Sequence, residues 1–246
     1  MSELAIIGGT GLTQIDSLEI RDREIVHTPY GEPSAPLTHG NLFGRDILFL
    51  PRHGYGHTIP PHKINYRANL WALKQAGAKS VLSVAAVGGI RMGMKAGTLV
   101  IPDQIIDYTW SRVTTFFEEG LKNVTHIDFT QPYSEGFRKQ VLKAAAMAKE
   151  TVIDGATYAA TQGPRLETAA EIDRLEKDGC DIVGMTGMPE AALARELELE
   201  YAACAVVANL AAGRGNGEIT MKEIETELAR GMGKVAKILE QLVTIV

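Results

Sequence analysis

The sequence predicts an α/β protein: a single domain whose mixed, mostly parallel central sheet is flanked by helices. Three observations carry that expectation. Short apolar runs alternate with stretches of helical spacing to the end of the chain. The runs end on glycine, proline or small polar residues, as strands do where an α/β sheet opens onto a ligand crevice. No Pro/Gly/Ser-rich linker divides the 246 residues, a length that suits one large α/β domain.

Residues 4–7 form the first buried strand and run into Gly8-Gly9-Thr10-Gly11, a tight loop whose N–H groups can face an anion. A second strand, 46–50, runs into Pro51-Arg52-His53-Gly54-Tyr55-Gly56-His57 and then Pro60-Pro61. Ile64, Ala68, Trp71 and Leu73 give residues 64–76 helical spacing, and Gly77 ends that helix. Residues 80–87 are a strand closed by Gly88-Gly89, and 98–101 a strand stopped by Pro102-Asp103. The segment 107–134 is irregular and aromatic, and its length marks a functional or interface loop.

A helix over 137–149 and a strand over 152–161 follow, the strand broken by Gly163-Pro164. Next come a helix over 167–177, a short strand 181–183 leading to Met185-Thr186, and a helix over 189–198 with proline near its first turn. The apolar run 202–208 reads as a buried strand that ends on Asn209. Thr220 and Glu223 form a capping box for the last helix, with Ile219 and Ile224 as its hydrophobic staple. Met221, Ile224, Leu228, Met232, Val235, Leu239 and Leu242 continue at helical spacing, a core-facing stripe.

Composition narrows the function classes. The net charge is −5 with no Lys/Arg cluster, which argues against nucleic acid as a partner. No stretch approaches the ~18 apolar residues of a membrane span, and the first residues lack the apolar core of a signal peptide, so a cytoplasmic protein without a membrane partner is expected. Cys180 and Cys204 are too few for a disulfide framework and read as buried thiols.

Several strand ends carry chemistry-bearing residues. Arg52 offers a planar donor fork suited to phosphate. Thr10 and Thr186 supply hydroxyls, the N–H groups near Gly9 and Ala86 can point inward, and Thr186 precedes a helix N-terminus that favours an anion. Together these parts can make an oxyanion cradle, although a glycine turn after a strand can equally be structural. Asn209 offers both an acceptor and a donor to a base edge, or else it only caps its loop. A dinucleotide fingerprint is not present, because position 14, where a third glycine belongs, is Gln. His53, His57 and His62 raise a zinc hydrolase as an alternative, but their spacing is not His-Glu-x-x-His, and Pro60-Pro61 break any helix that could align His57 with His62.

Gly8-Gly9-Thr10-Gly11, Arg52-His53-Gly54 with His57-Thr58, Asn65-Tyr66-Arg67-Ala68-Asn69, Gly163-Pro164-Arg165 and Met185-Thr186 together resemble the trimeric purine nucleoside phosphorylase / methylthioadenosine phosphorylase family. The matches run in order over nearly the whole chain. The resemblance implies cleavage of a purine nucleoside by inorganic phosphate, a co-substrate, with no cofactor, no metal and a homotrimeric assembly. It implies a phosphate site of Thr10, Arg52, His53, Ala86 and Thr186, with Ala85 standing where relatives often carry a hydroxyl. It implies Met185 under the ribose and Asn209 at the base with Leu166, Leu210 and Ala211 beside it. His126 matches a residue that closes the 5′ end from a neighbouring subunit.

Relatives that prefer 6-aminopurines resemble one another in a serine after Pro-Arg-Phe and acids after the late strand. This chain instead has Leu166-Glu167-Thr168, Asn209 and Ala211, similar to phosphorylases that hold 6-oxopurines through Glu and Asn. A carboxylate at Glu167 accepts from the oxopurine N1–H and would repel the acceptor N1 of adenine; Asn209 can donate to O6 and accept from N7–H. Ordinary nucleoside phosphorylases resemble one another in a histidine near the start of the last helix, facing the 5′-hydroxyl. Here that region offers Met221, suited to a methylthio group, or else simply the first residue of the core stripe. The expected substrate is a 5′-methylthio 6-oxopurine nucleoside, with Asn209 and Glu167 stabilising the departing base. A methylthioadenosine phosphorylase, an inosine/guanosine phosphorylase and a non-catalytic nucleoside-binding protein are the remaining alternatives.

Overall fold

The computed structural model describes residues 3–9, 18–215, 217 and 219–246. Thr10 therefore lies outside the described residues. One central strand, β5 (Ser80–Gly89), organises the sheet because it is apolar on both faces and can be covered on both. On one side the strand order runs through β1 (Leu4–Gly8), β4 (Arg45–Pro51), β3 (Leu37–Leu42) and β2 (Leu18–Glu24). Beyond the far end of β5 lie β10 (Ile182–Gly184), β9 (Thr157–Ala160) and β7 (Gln104–Asp107). The other edge of β5 carries β11 (Glu200–Leu210), then β6 (Leu99–Ile101) and β8 (Val152–Asp154).

Pairings of β1 with β4 and β5, of β11 with β5, of β9 with β10 and β7, and of β6 with β8 are parallel. The β2/β3, β3/β4, β5/β10 and β6/β11 pairs are antiparallel. The expected mixed, mostly parallel α/β sheet is the one observed.

Helices α1 (Tyr66–Gln75) and α4 (Gly187–Glu196) cover one face, and α2 (Glu135–Met147) and α5 (Met221–Leu242) the other. Alternation along β11 sorts its side chains between the layers: Ala203, Ala205 and Val207 join the first core, and Ala202, Cys204 and Val206 the second. A smaller cluster under α3 (Ala169–Lys177) holds Ile172, Leu175 and Cys180. Both cysteines are free and buried. Gly231 lets α5 lie close on β11, since a Cβ there would meet Val206 Cγ1 at 2.2 Å.

Several elements differ from the sequence reading. The expected strand 152–161 is two strands, because Gly155 takes φ +83° and the chain passes from the β6 branch to the β7 branch. The antiparallel strands β2, at the edge, and β3, between β2 and β4, and the short β7 were not expected. β2, Leu-Glu-Ile-Arg-Asp-Arg-Glu, exposes six of its seven residues and shows charge where a buried strand shows apolar periodicity, which is how an edge strand resists pairing with other chains. Glu167 does not open α3: the helix is capped by Thr168, whose capping box with Glu171 satisfies its first N–H groups. Glu167 precedes the cap, so the helix start does not employ its carboxylate.

Candidate active site

The edge of β5 opposite β11 is shared between two strands. β1 pairs with residues 80–83 and β10 with Gly88 and Gly89. Residues 84–87 have no paired strand on that edge among the described residues. A cavity of about 650 Å³ opens at this gap, with Val84, Ala85, Ala86 and Val87 in its wall. The carbonyl of Val84 faces the gap, since it accepts a hydrogen bond from Arg52 Nη1 at 3.2 Å. Backbone groups alternate between the two edges of a strand, so the N–H of Ala86 turns to the same gap.

The polar corner holds Gly9, Arg52, His53, Ala86 and Thr186. Arg52 follows β4, and its N–H is anchored by the Gly8 carbonyl at 2.9 Å. Its guanidinium is not a free fork, contrary to the expectation. Nε donates to Glu190 Oε2 at 2.7 Å, Nη2 to Glu190 Oε1 at 2.8 Å and to Ser83 Oγ at 2.7 Å, and Nη1 to Val84. Burial works against its charge, but the Glu190 carboxylate outweighs that and raises its pKa. The pair is nearly neutral seen from the cavity, and at most one guanidinium N–H, on Nη1, is left for a ligand.

His53 is likewise not a cation. Burial, and then the neighbouring Arg52 charge, lowers its pKa to about 4. Its Nδ1–H donates to the Ile59 carbonyl at 2.8 Å, so Nε2 is left as an acceptor. Thr186 is buried beside Tyr158, whose hydroxyl accepts its N–H at 3.4 Å. Met188 is extended (φ −120°, ψ 139°), so α4 becomes regular at Pro189, as the sequence suggested. An anion in this corner meets mainly backbone N–H groups and a helix start, with little net charge.

The opposite wall holds Pro164, Leu166, Glu167, Asn209 and Ala211. Asn209 sits where β11 bulges, between Val207 and Asn209, and its Nδ2 donates to the Leu210 carbonyl at 2.7 Å. One N–H and the Oδ1 acceptor remain for a ligand. Leu210 does not line the cavity: alternation turns it away between Asn209 and Ala211, and it is 37% exposed. Glu167 Oε1 accepts from the Thr161 hydroxyl at 2.6 Å. Met185 also borders the cavity, and Gly163 makes room for it: with φ +62°, a Cβ there would meet Met185 Sδ at 2.4 Å.

The third wall is apolar and comes from the last helix and the residue before its cap. Ile219, Met221, Ile224, Leu228 and Met232 line the cavity. The stripe read as core-facing, with Met221 open to either role, therefore divides. Val235, Leu239 and Leu242 are buried, whereas Met221 is 65% exposed and faces the open space. The capping box of Thr220 with Glu223 fixes where that wall begins. His126 is exposed on the 107–134 segment and does not line the cavity of its own chain.

The sequence reading missed Glu190, Thr161 and Arg112. Glu190 reads as an ordinary first-turn acid, and its partner is 138 residues away. Arg112 donates to the carbonyls of Thr161, Gln162, Met185 and Met188 at 2.6–3.1 Å, to Gln162 Oε1 and to Tyr66 OH. It ties the segment after β9 to the turn that leads into α4. As for the zinc alternative, no group of three His, Cys, Asp or Glu among the described residues could hold a metal ion.

A polar corner, a carboxylate-and-amide wall and an apolar wall around one cavity at the strand ends of an α/β sheet are the parts of an enzyme for a small amphipathic substrate. The model of the Phosphorylase superfamily matches residues 3–244, and the chain belongs to that superfamily. It is an enzyme of the nucleoside phosphorylase type, a pentosyltransferase. It is 56% identical over 244 residues, 99% of either chain, to a probable S-methyl-5′-thioinosine phosphorylase of Pseudomonas syringae pv. tomato. It is 55% identical to one of Xanthomonas campestris pv. campestris, over 90% of this chain and 89% of that protein. Among solved structures, a methylthioadenosine phosphorylase from an antarctic soil metagenomic library superposes with a TM-score of 0.92 at 35% identity, covering 99% of this chain and 86% of that one.

Proposed function

We propose that the protein cleaves S-methyl-5′-thioinosine with inorganic phosphate, giving hypoxanthine and 5-methylthioribose 1-phosphate. The observation that carries this reading is one cavity that joins Glu167 and Asn209 on one wall to Met221, Ile224 and Leu228 on another. The names of the two bacterial relatives agree with it. The name of the solved relative favours an aminopurine with the same sugar tail, and the second reading is therefore a methylthioadenosine phosphorylase.

In the proposed mechanism phosphate binds in the polar corner, held by the Ala86 N–H, Thr186, Thr10 and the remaining Arg52 donor. Neutral His53 accepts the hydrogen of HPO₄²⁻ at Nε2. A phosphate oxygen bonds to C1′ as the C1′–N9 bond breaks. The bonding pair leaves with the purine, and the phosphate proton ends, net, on the released base. Positive charge grows on the ribose next to the phosphate dianion. Negative charge grows on the purine, where Asn209 donates to O6 and Glu167 accepts from N1–H; N7 carries no hydrogen in the nucleoside, and Asn209 Oδ1 accepts from N7–H once the transferred proton has reached N7. Fixed dipoles and alignment supply most of the acceleration, and no cofactor is required.

Met185 supports the ribose, and Leu166 and Ala211 flank the base. We place the methylthio group against Met221. The assembly is a homotrimer in which His126 of a neighbouring copy closes the 5′ end. Trp110, Val113, Leu121 and Val124 are exposed on the same segment, which supports an interface there. Base release from S-methyl-5′-thioinosine, with and without phosphate, tests the reading. Release without phosphate, or ligand binding with no release, contradicts it.

A further inference from the structure

We propose that Thr161 sets the purine preference of this enzyme by holding the carboxylate of Glu167 from behind. The inference rests on the proposed base recognition and names a residue outside the motifs read from the sequence. Thr161 follows β9. Its N–H donates to the Gly184 carbonyl at 2.8 Å, which fixes the backbone at that point. Its hydroxyl carries a single proton and has two acceptors in range, Glu167 Oε1 at 2.6 Å and the Gly184 carbonyl at 3.3 Å. The shorter contact has the length of a hydroxyl donating to a carboxylate, and the carbonyl is already engaged by the backbone N–H.

Thr161 does not line the main cavity. It borders a smaller one of about 450 Å³ behind it, with Trp110 and Gln162, and Glu167 stands in the wall between the two. The hydroxyl thus secures Oε1 on the far side, and Oε2 has no protein donor among the described residues. That leaves Oε2, with both its lone pairs, to accept from the N1–H of an oxopurine, and the bond at Oε1 restrains the carboxylate from turning toward an aminopurine. Arg112 holds the same segment through the Thr161 and Gln162 carbonyls at 3.1 and 2.8 Å, so the hydroxyl is aimed by a fixed backbone. Thr161 is a positioning residue: it touches Glu167, not the substrate.

The test compares kcat/KM for S-methyl-5′-thioinosine and methylthioadenosine in wild type, Thr161→Val, Thr161→Ser, Glu167→Gln and the Thr161→Val/Glu167→Gln double variant. Valine keeps the shape and removes only the hydroxyl. It should lower the oxopurine-to-aminopurine ratio about ten-fold, the loss expected for a hydrogen bond to a charged group. Serine should keep the wild-type ratio. In the Glu167→Gln background the valine change should alter the ratio by less than about two-fold, because the two residues act as one unit. A wild-type preference for the oxopurine that survives Thr161→Val, or an equal effect of valine with and without Glu167, overturns the inference and leaves the base assignment standing. A wild type with no preference overturns both. Thermal unfolding of each variant separates a misfolded protein from a mispositioned carboxylate.

Discussion

Arg52 and Glu190 meet as a two-pronged ion pair, Nε to Oε2 at 2.7 Å and Nη2 to Oε1 at 2.8 Å, with side chains 1% and 0% exposed. Tyr201 donates a further hydrogen bond to Glu190 Oε1 at 2.8 Å. A guanidinium placed at the polar corner of the cavity is thereby neutralised by the protein itself. Removing one member leaves the other charged and desolvated, which costs about 3–5 kcal/mol. Glu190→Gln should lower the melting temperature by roughly 6–20 °C, taking about 2–4 °C per kcal/mol for a chain of this size. Added phosphate should restore part of the loss, because the freed guanidinium gains an anionic partner. Thermal scans with and without phosphate check this; an unchanged melting temperature contradicts it.

His53 makes a prediction about pH. Its folded pKa is about 4, lowered from 6.5 by burial and then by the Arg52 charge. The unfolded chain binds the proton first as the pH falls. The contribution of neutral His53 to stability is therefore complete above about pH 6.5 and declines as the pH falls from there toward 4, by up to about 3 kcal/mol. His53→Asn should flatten that part of the stability profile. For the same reason kcat/KM for phosphate should show no His53 inflection near 6.5; one that vanishes in the variant argues against a neutral His53.

Met221 tests the apolar wall. It is 65% exposed and packs little core, so Met221→Ala should change stability by less than about 0.5 kcal/mol. In the proposed placement of the methylthio group, the same change removes apolar contact with the sugar tail. KM for the methylthio nucleoside should rise about ten-fold, worth one to two buried methylene groups, while KM for inosine changes less. Equal effects on the two substrates would remove Met221 from the methylthio site.

Arg112 tests the link between the two halves of the cavity. Arg112→Met keeps bulk and removes donors that four backbone carbonyls accept. The expected result is a fall in kcat/KM of at least about ten-fold, larger than Arg112→Lys produces, because a lysine cannot reproduce the planar fork. Equal losses in the two variants would mean that charge, not fork geometry, is what the site needs.

The sequence disclosed what local chemistry writes. The capping box at Thr220 and Glu223 and the staple at Ile219 and Ile224 set the start of α5 in advance, and the apolar run before Asn209 set the end of β11 closely. β2 was hidden because an exposed edge strand carries charges instead of an apolar alternation. Arg112 was hidden for a different reason. Its main acceptors are carbonyls 49 to 76 residues away, and a carbonyl is present at every position, so no residue type signals it. Glu167 and Met221 were visible by type, but only the fold shows Thr161 behind the first and open space in front of the second.

The most direct measurement is initial-rate base release in phosphate buffer, comparing hypoxanthine from S-methyl-5′-thioinosine with adenine from methylthioadenosine, and with hypoxanthine from inosine as the sugar control. The proposed site requires kcat/KM for the first to exceed both others. Adenine released as fast as hypoxanthine would remove the role given to Glu167 and Asn209, and inosine cleaved as well as its methylthio counterpart would remove the role given to the α5 wall.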